Sequence, residues 1–196
     1  MVNQKYTTEK LTKLFTENSN YLQNQLMFGG MQLMLIEFLK KWMKDQLEGF
    51  FGSFKGLDKN GECLYLVEEK YSYLFKKNID GHPFDKQLQW FVENGAINED
   101  EGVYLSAMRH RRNEVGHELI RLITDDKRQE LIWEECKAIA NLLFKMDNWW
   151  FRQIDVPTGL LSDHEEITEE DLENGSSVAI NILLNFVERV NPETNK

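Results

Sequence analysis

Apolar residues recur along this chain mostly at three- and four-residue spacing, the period of a helix buried on one face. Between residues 8 and 28 they fall at Leu11, Leu14, Phe15, Leu22, Leu26 and Met27. Gly29-Gly30 then predicts a weakened or interrupted helix, because glycine costs about 1 kcal/mol relative to alanine inside one. Helical spacing resumes over residues 31–51 with Leu33, Met34, Ile36, Phe38, Leu39, Trp42, Met43, Leu47, Phe50 and Phe51. So wide an apolar face suits a helix packed on several neighbours, or a subunit surface. The methionine and aromatic stripe is expected to be core.

Residues 52–61 are rich in glycine and close with Asn60-Gly61, which predicts a loop. A helix is predicted from about Glu62 to Lys77, burying Leu64, Val67, Tyr71 and Leu74. A turn over 78–83 ends in Pro83, a residue suited to the first turn of the next helix. That helix carries Phe84, Leu88, Phe91 and Val92, and Asn94-Gly95 ends it. His82 is expected to be an exposed turn residue. Asn98 followed by Glu101 has the form of a capping box, in which each side chain bonds the other's backbone amide. Val103, Leu105 and Met108 lead onward from it.

Asp125-Asp126 then predicts the cap of a long helix from about Lys127 to Trp150, with Leu131, Ile132, Cys136, Ile139, Leu142, Leu143 and Met146 on its apolar face. Trp149-Trp150-Phe151 reads as an aromatic core plug. Between Asp155 and Glu173 there are eight acidic residues and no Lys or Arg, which reads as a solvated linker. Val178, Ile182, Leu183, Phe186, Val187 and Val190 make one more amphipathic helix. Alternation of strand type is almost absent. The pattern predicts an all-α fold, a bundle of about five to seven helices with no significant sheet. It divides into a helical domain over 1–152, an acidic linker over 153–177, and a C-terminal helix and tail over 178–196.

Composition narrows this picture. Apolar residues are 41% of the 196, enough for a packed core, and only three prolines interrupt the helices. The net charge of −10 repels nucleic acid at long range and argues against a simple coat protein for RNA or DNA. Cys63 and Cys136 lie far apart with no Cys-x-x-Cys, as expected for a reducing, cytoplasmic location without a metal framework. The N-terminal residues lack an apolar signal core. The most apolar run, about Leu26–Leu39, is broken by Gln32 and Glu37 and is too short and polar to span a membrane. No phosphate-binding loop is present, since no Gly-Lys-Ser/Thr follows the glycines.

Against that acidic background, residues 108–124 concentrate four arginines and two histidines. Arg112 is followed by Asn113 and, four residues after that, by His117. A guanidinium can fork onto phosphate, and an imidazole moves protons near neutral pH. Cleavage of an RNA phosphodiester needs both functions. Asn113 and His117 share a face on a regular helix, and Arg121 continues it. Arg112 lies about 140° round from His117. The two converge if the helix starts or bends near Arg112, if the arginine wraps round, or if a twofold partner supplies one of them.

This arrangement of Arg, Asn and His within a helical chain resembles the HEPN superfamily. The motif match covers residues 112–117, and helical character extends it loosely over about residues 8–150. The resemblance implies an all-helical, metal-independent endoribonuclease that works as a homodimer on RNA, without cofactor. Arg112, Asn113 and His117 would then be the catalytic residues. His117 would serve as general base or acid, Arg112 would stabilise the charged phosphorus, and Asn113 would orient phosphate or imidazole. Arg109, Arg111 and Arg121 would hold substrate, with Arg111 as an alternative to Arg112. Family toxins silenced by a nucleotidyltransferase commonly carry a tyrosine two residues after the histidine. Here that position is Leu119, so that modification is not available.

Two other readings compete. Glu114-x-x-His117 matches half of a di-iron carboxylate motif, but the second Glu-x-x-His is missing and the adjacent arginines repel a cation. Alternatively the chain is a non-catalytic helical dimer module that binds a nucleotide, RNA or a protein partner.

Overall fold

A computed structural model of the chain describes residues 19–77, 81–124, 131–158 and 177–190, together with Thr12, Thr16 and Thr168. These residues are mostly helical. In chain order the main elements are helix α1 (Ser19–Phe51), strands β1 (Gly52–Leu57) and β2 (Cys63–Val67), and helices α2 (Pro83–Glu93), α3 (Glu99–Thr124), α4 (Trp133–Trp150) and α5 (Val178–Arg189). A 3-10 turn, Glu69–Leu74, follows β2, and a π-helical turn, Phe151–Asp155, follows α4. Among the described residues no helix is long and apolar enough to cross a membrane. Leu11, Leu14 and Phe15, the proposed cap at Asp125-Asp126 and most of the acidic linker lie outside the described residues.

The chain divides into two compact units. One comprises Met1–Ile36, Ala107–Phe144 and Ser177–Lys196; the other comprises Glu37–Ser106 and Lys145–Ser176. Helices α1, α3 and α4 each run from one unit into the other.

In the first unit, α1 passes through Gly29-Gly30 without a break, so of the two expectations there, a weakened or an interrupted helix, interruption does not occur. The reason is packing. A Cβ at Gly29 would lie 3.2–3.3 Å from the methyls of Leu119, Leu131 and Val115, so the missing side chain lets these three close on α1. Close packing of that kind outweighs a weak local propensity. Helix α4 begins at Trp133, with Leu131 and Ile132 outside it, and the expected start at Lys127 lies outside the described residues. Leu131 is held outside it by Gln25, whose Oε1 accepts from the Leu131 amide at 3.0 Å and whose Nε2 donates to the Leu131 carbonyl at 2.8 Å. Helix α5 buries Ile180 and Val187, and the Trp133 indole donates to the Val187 carbonyl at 2.8 Å.

The second unit contains the departure from an all-helical pattern. Residues predicted as a loop and the start of a helix form an antiparallel hairpin, with Phe54 opposite Tyr65 and Leu57 opposite Cys63. The run Cys63-Leu64-Tyr65-Leu66-Val67 satisfies helical spacing, but its residues also suit a strand. The turn decides between them. Asp58 Oδ1 accepts from the amides of Asn60 (2.7 Å) and Glu62 (2.9 Å), and Gly61 sits at φ +83°. At the junction of α1 and β1, a Cβ on Gly52 would lie 2.6 Å from the Glu48 carbonyl, so only glycine fits. The predicted helix from Glu62 shrinks to the 3-10 turn, and of its four expected core residues only Leu74 is buried.

Other expectations in this unit hold. Pro83 opens α2, with His82 as its cap rather than a free turn residue: Nδ1 accepts from the Phe84 amide at 3.2 Å. Asn98 and Glu101 form the capping box of α3, with bonds of 2.8 and 2.9 Å. Trp42, Phe50, Phe51, Trp90, Phe91, Trp149 and Trp150 make one aromatic cluster, in which Trp42 and Phe91 lie 5.4 Å apart. The Trp42 indole is satisfied by buried Asp147 at 2.9 Å.

Candidate functional site

Helix α3 carries every candidate residue in its first-unit portion, from Ala107 onward. One flank of this portion is anchored. Met108 and Val115 are buried, and Leu119 packs on Leu22. The remaining positions present the basic and imidazole side chains.

Two adjacent arginines meet different fates. Arg111 Nε donates to Glu135 Oε2 of α4 at 3.0 Å, and both side chains are about nine-tenths buried. Buried Gln32 of α1 donates to the same oxygen at 3.1 Å. A buried carboxylate requires this kind of compensation. Arg111 is therefore committed to packing α3 on α4, and the structure does not place it as the alternative phosphate ligand. Arg112, half-buried, sends Nη1 to Asn113 Oδ1 at 3.2 Å.

Asn113 and His117 are both exposed. Four residues apart on regular helix, they point within about 40° of each other. The bond to Asn113 draws the Arg112 head toward the face that carries His117. The bend in α3 falls elsewhere: Glu118 has φ −130° and ψ 23°, one residue beyond His117.

That bend changes the place of Arg121. In an uninterrupted helix it would extend the Asn113–His117 face, but the non-helical Glu118 intervenes. Arg121 instead pairs with Glu118 at 3.4 Å in an exposed contact. Arg109 Nη2 lies 2.9 Å from His110 Nε2. A guanidinium only donates, so His110 accepts there and, when neutral, carries its proton on Nδ1. Among the described residues no group of three or more His, Cys, Asp or Glu side chains is placed to hold a metal ion.

Glu135 and Gln32 are the site-supporting residues that sequence reasoning missed. Gln32 was visible only as a break in an apolar run, and Glu135 only as one acid among many. A polar residue inside an otherwise buried face is the signal that could have found Gln32.

Comparison with known proteins gives no matching family model, no matching curated protein and no matching solved structure.

Proposed function

We propose that this chain is a metal-independent endoribonuclease of the HEPN type, acting as a homodimer in the cytoplasm, in a defence or stress system. The observation that carries the reading is the Arg112–Asn113 hydrogen bond beside an exposed His117 on one helix. The guanidinium, held by Asn113, supplies a fixed cation for the phosphate. The imidazole is reachable by solvent and substrate, as a proton carrier must be.

Cleavage follows from the RNA itself. His117 takes the proton from a 2′-hydroxyl, and that oxygen attacks the adjacent phosphorus. The 5′-oxygen of the next nucleotide leaves, taking a proton, and a 2′,3′-cyclic phosphate remains. Arg112 stabilises the charge that builds on the phosphoryl oxygens. DNA, lacking the 2′-hydroxyl, is spared. Arg109 lies along the same helix as an additional cation for the RNA backbone.

The test uses labelled RNA with the purified chain in EDTA. Nicking that yields 2′,3′-cyclic ends and disappears in His117→Ala supports the assignment. Retention of RNA without cleavage selects the alternative, a non-catalytic binding module. Mixing Arg112→Ala with His117→Ala tests the dimer. If each site takes its arginine and histidine from different subunits, the mixture regains roughly a quarter of the wild-type rate, because half the dimers are mixed and each carries one intact site. A mixture as inactive as its components places both residues in one subunit.

A further inference from the structure

A concave site lies in the unit formed by Glu37–Ser106 and Lys145–Ser176. It is a cavity of about 340 Å³, within the roughly 300–1,000 Å³ of small-molecule sites. Its lining is Lys40 and Lys44 from α1, Phe75 and Lys77 from the end of the 3-10 turn, and His82, Pro83, Phe84 and Gln87 from the start of α2. Three lysines and, among the described residues, no carboxylate line it, in a chain whose net charge is −10. Low-dielectric walls carrying one sign of charge concentrate the field inside a cleft.

The wall is fastened in place. Lys86 Nζ donates to the carbonyls of Tyr73 (3.3 Å) and Lys76 (3.2 Å), and Gln87 Nε2 donates to that of Leu74 (3.2 Å). The segment bearing Phe75 and Lys77 is thus tied to α2. Gln87 is only 3% exposed, and its Oε1 has no hydrogen-bond partner among the described residues. Because Leu74 takes the amide nitrogen, the orientation of Gln87 is set. The nearby carboxylates on α1 compete weakly: Glu37 and half-buried Glu48 meet the exposed Lys40 and Lys44 at a long 3.5 Å. Such pairs contribute about 0–1 kcal/mol, so both ammonium groups can turn to a better anion.

We propose that this cavity binds a small phosphomonoester. The phosphate dianion sits among Lys40, Lys44 and Lys77, and the organic part lies against Phe75 and Pro83. The proposal does not depend on the ribonuclease reading, and its residues lie outside α3.

Calorimetric titration of the full chain with inorganic phosphate, ribose 5-phosphate and adenosine 5′-monophosphate tests it. Both esters bind more tightly than phosphate alone, and their order shows whether sugar or aromatic base fills the apolar part. The double variant Lys40→Glu/Lys77→Glu lowers ester affinity at least about tenfold, the effect of losing a single charge-assisted contact. Lys55→Glu, on the exposed face of β1, keeps wild-type affinity and controls for net charge. Phe75→Ala weakens the esters without weakening phosphate, with melting temperature confirming the fold. Three results overturn the proposal: no ester binding at about 10 mM, an affinity order of magnitude too weak for a site of this size; phosphate binding as tightly as the esters; or equal losses in Lys55→Glu and the double variant.

Discussion

Arg111 and Glu135 are joined by a 3.0 Å contact that is almost closed to solvent, while Arg112, the next residue, turns to exposed Asn113. One arginine holds the helix and the other is presented. Arg111→Ala strands the Glu135 carboxylate with Gln32 alone, at a cost of about 3–5 kcal/mol. Arg112→Ala, which leaves no buried carboxylate unpaired, costs less than Arg111→Ala, but abolishes RNA cleavage under the proposed function. Urea denaturation of the two variants measures the contrast. Replacing the pair together, Arg111→Met with Glu135→Leu, recovers most of the lost stability, since an apolar pair carries no desolvation penalty. Equal losses for Arg111→Ala and Arg112→Ala would show that the buried contact contributes nothing.

The two thiols are predicted to differ sharply in reactivity. Cys63 is exposed, whereas Cys136 is buried against the Phe28 carbonyl. Burial, reinforced by the neighbouring Glu135 carboxylate, pushes the Cys136 thiol up to about 12. At pH 8 only about one in ten thousand copies is thiolate, the reactive form. A disulfide-exchange reagent therefore titrates one thiol in the native protein and two in urea, and Cys63→Ser leaves none in the native state. The same shift sets a sign for stability. The folded state retains this proton after the unfolded chain has released it, so stability falls as pH rises beyond the free-thiol range near 8.5. Two fast thiols in the native protein would contradict the burial of Cys136.

Glu101 carries the opposite dependence. Burial alone would raise its carboxyl, but hydrogen bonds from Lys145 and the Asn98 amide outweigh that and leave it below the ordinary value. A carboxylate lowered in the folded state stabilises above its unfolded value, and that contribution is lost as pH falls through the folded one. Glu101→Gln keeps the amide bond and loses the ion pair. Its melting temperature is lower than wild type by about 2 °C at pH 7, in keeping with a half-exposed pair. The gap closes as pH falls below the ordinary carboxyl range. A gap that stays constant with pH would assign the loss to packing instead of charge.

Much of the helical order was legible because it rests on local chemistry. The Asn98–Glu101 box and Pro83 at the head of α2 need only neighbours in sequence, and both occur as read. The hairpin was missed because Leu64, Tyr65 and Val67 fit two periods at once, and the choice fell to Asp58 and Gly61 in the turn. The basic face of α3 was legible as a composition anomaly. The division of labour between Arg111 and Arg112 was not, because it depends on Glu135 and Gln32, far off in sequence. Nor did residue spacing reveal the bend at Glu118, where no proline or glycine marks the position itself.

Gly29 and Gly30 test the same distinction between local propensity and tertiary packing. Both lie inside an unbroken helix, where glycine is less favourable than alanine by about 1 kcal/mol. At Gly30 a Cβ meets nothing within 4 Å, so Gly30→Ala raises stability by about 0.5–1 kcal/mol. At Gly29 the same atom would stand 3.2–3.3 Å from methyls of Leu119, Leu131 and Val115, tighter than ordinary contact on three sides. These neighbours cannot all retreat in a packed core, and overpacking costs about 1–3 kcal/mol, more than the propensity gain. Adjacent glycine-to-alanine changes thus shift the denaturation midpoint in opposite directions. Val115 and Leu119 also bracket His117 in sequence, so Gly29→Ala is expected to slow any cleavage that depends on that imidazole, while Gly30→Ala leaves it unchanged. Stabilisation by both substitutions would mean that the close approach of α3 to α1 at Gly29 is absent in solution.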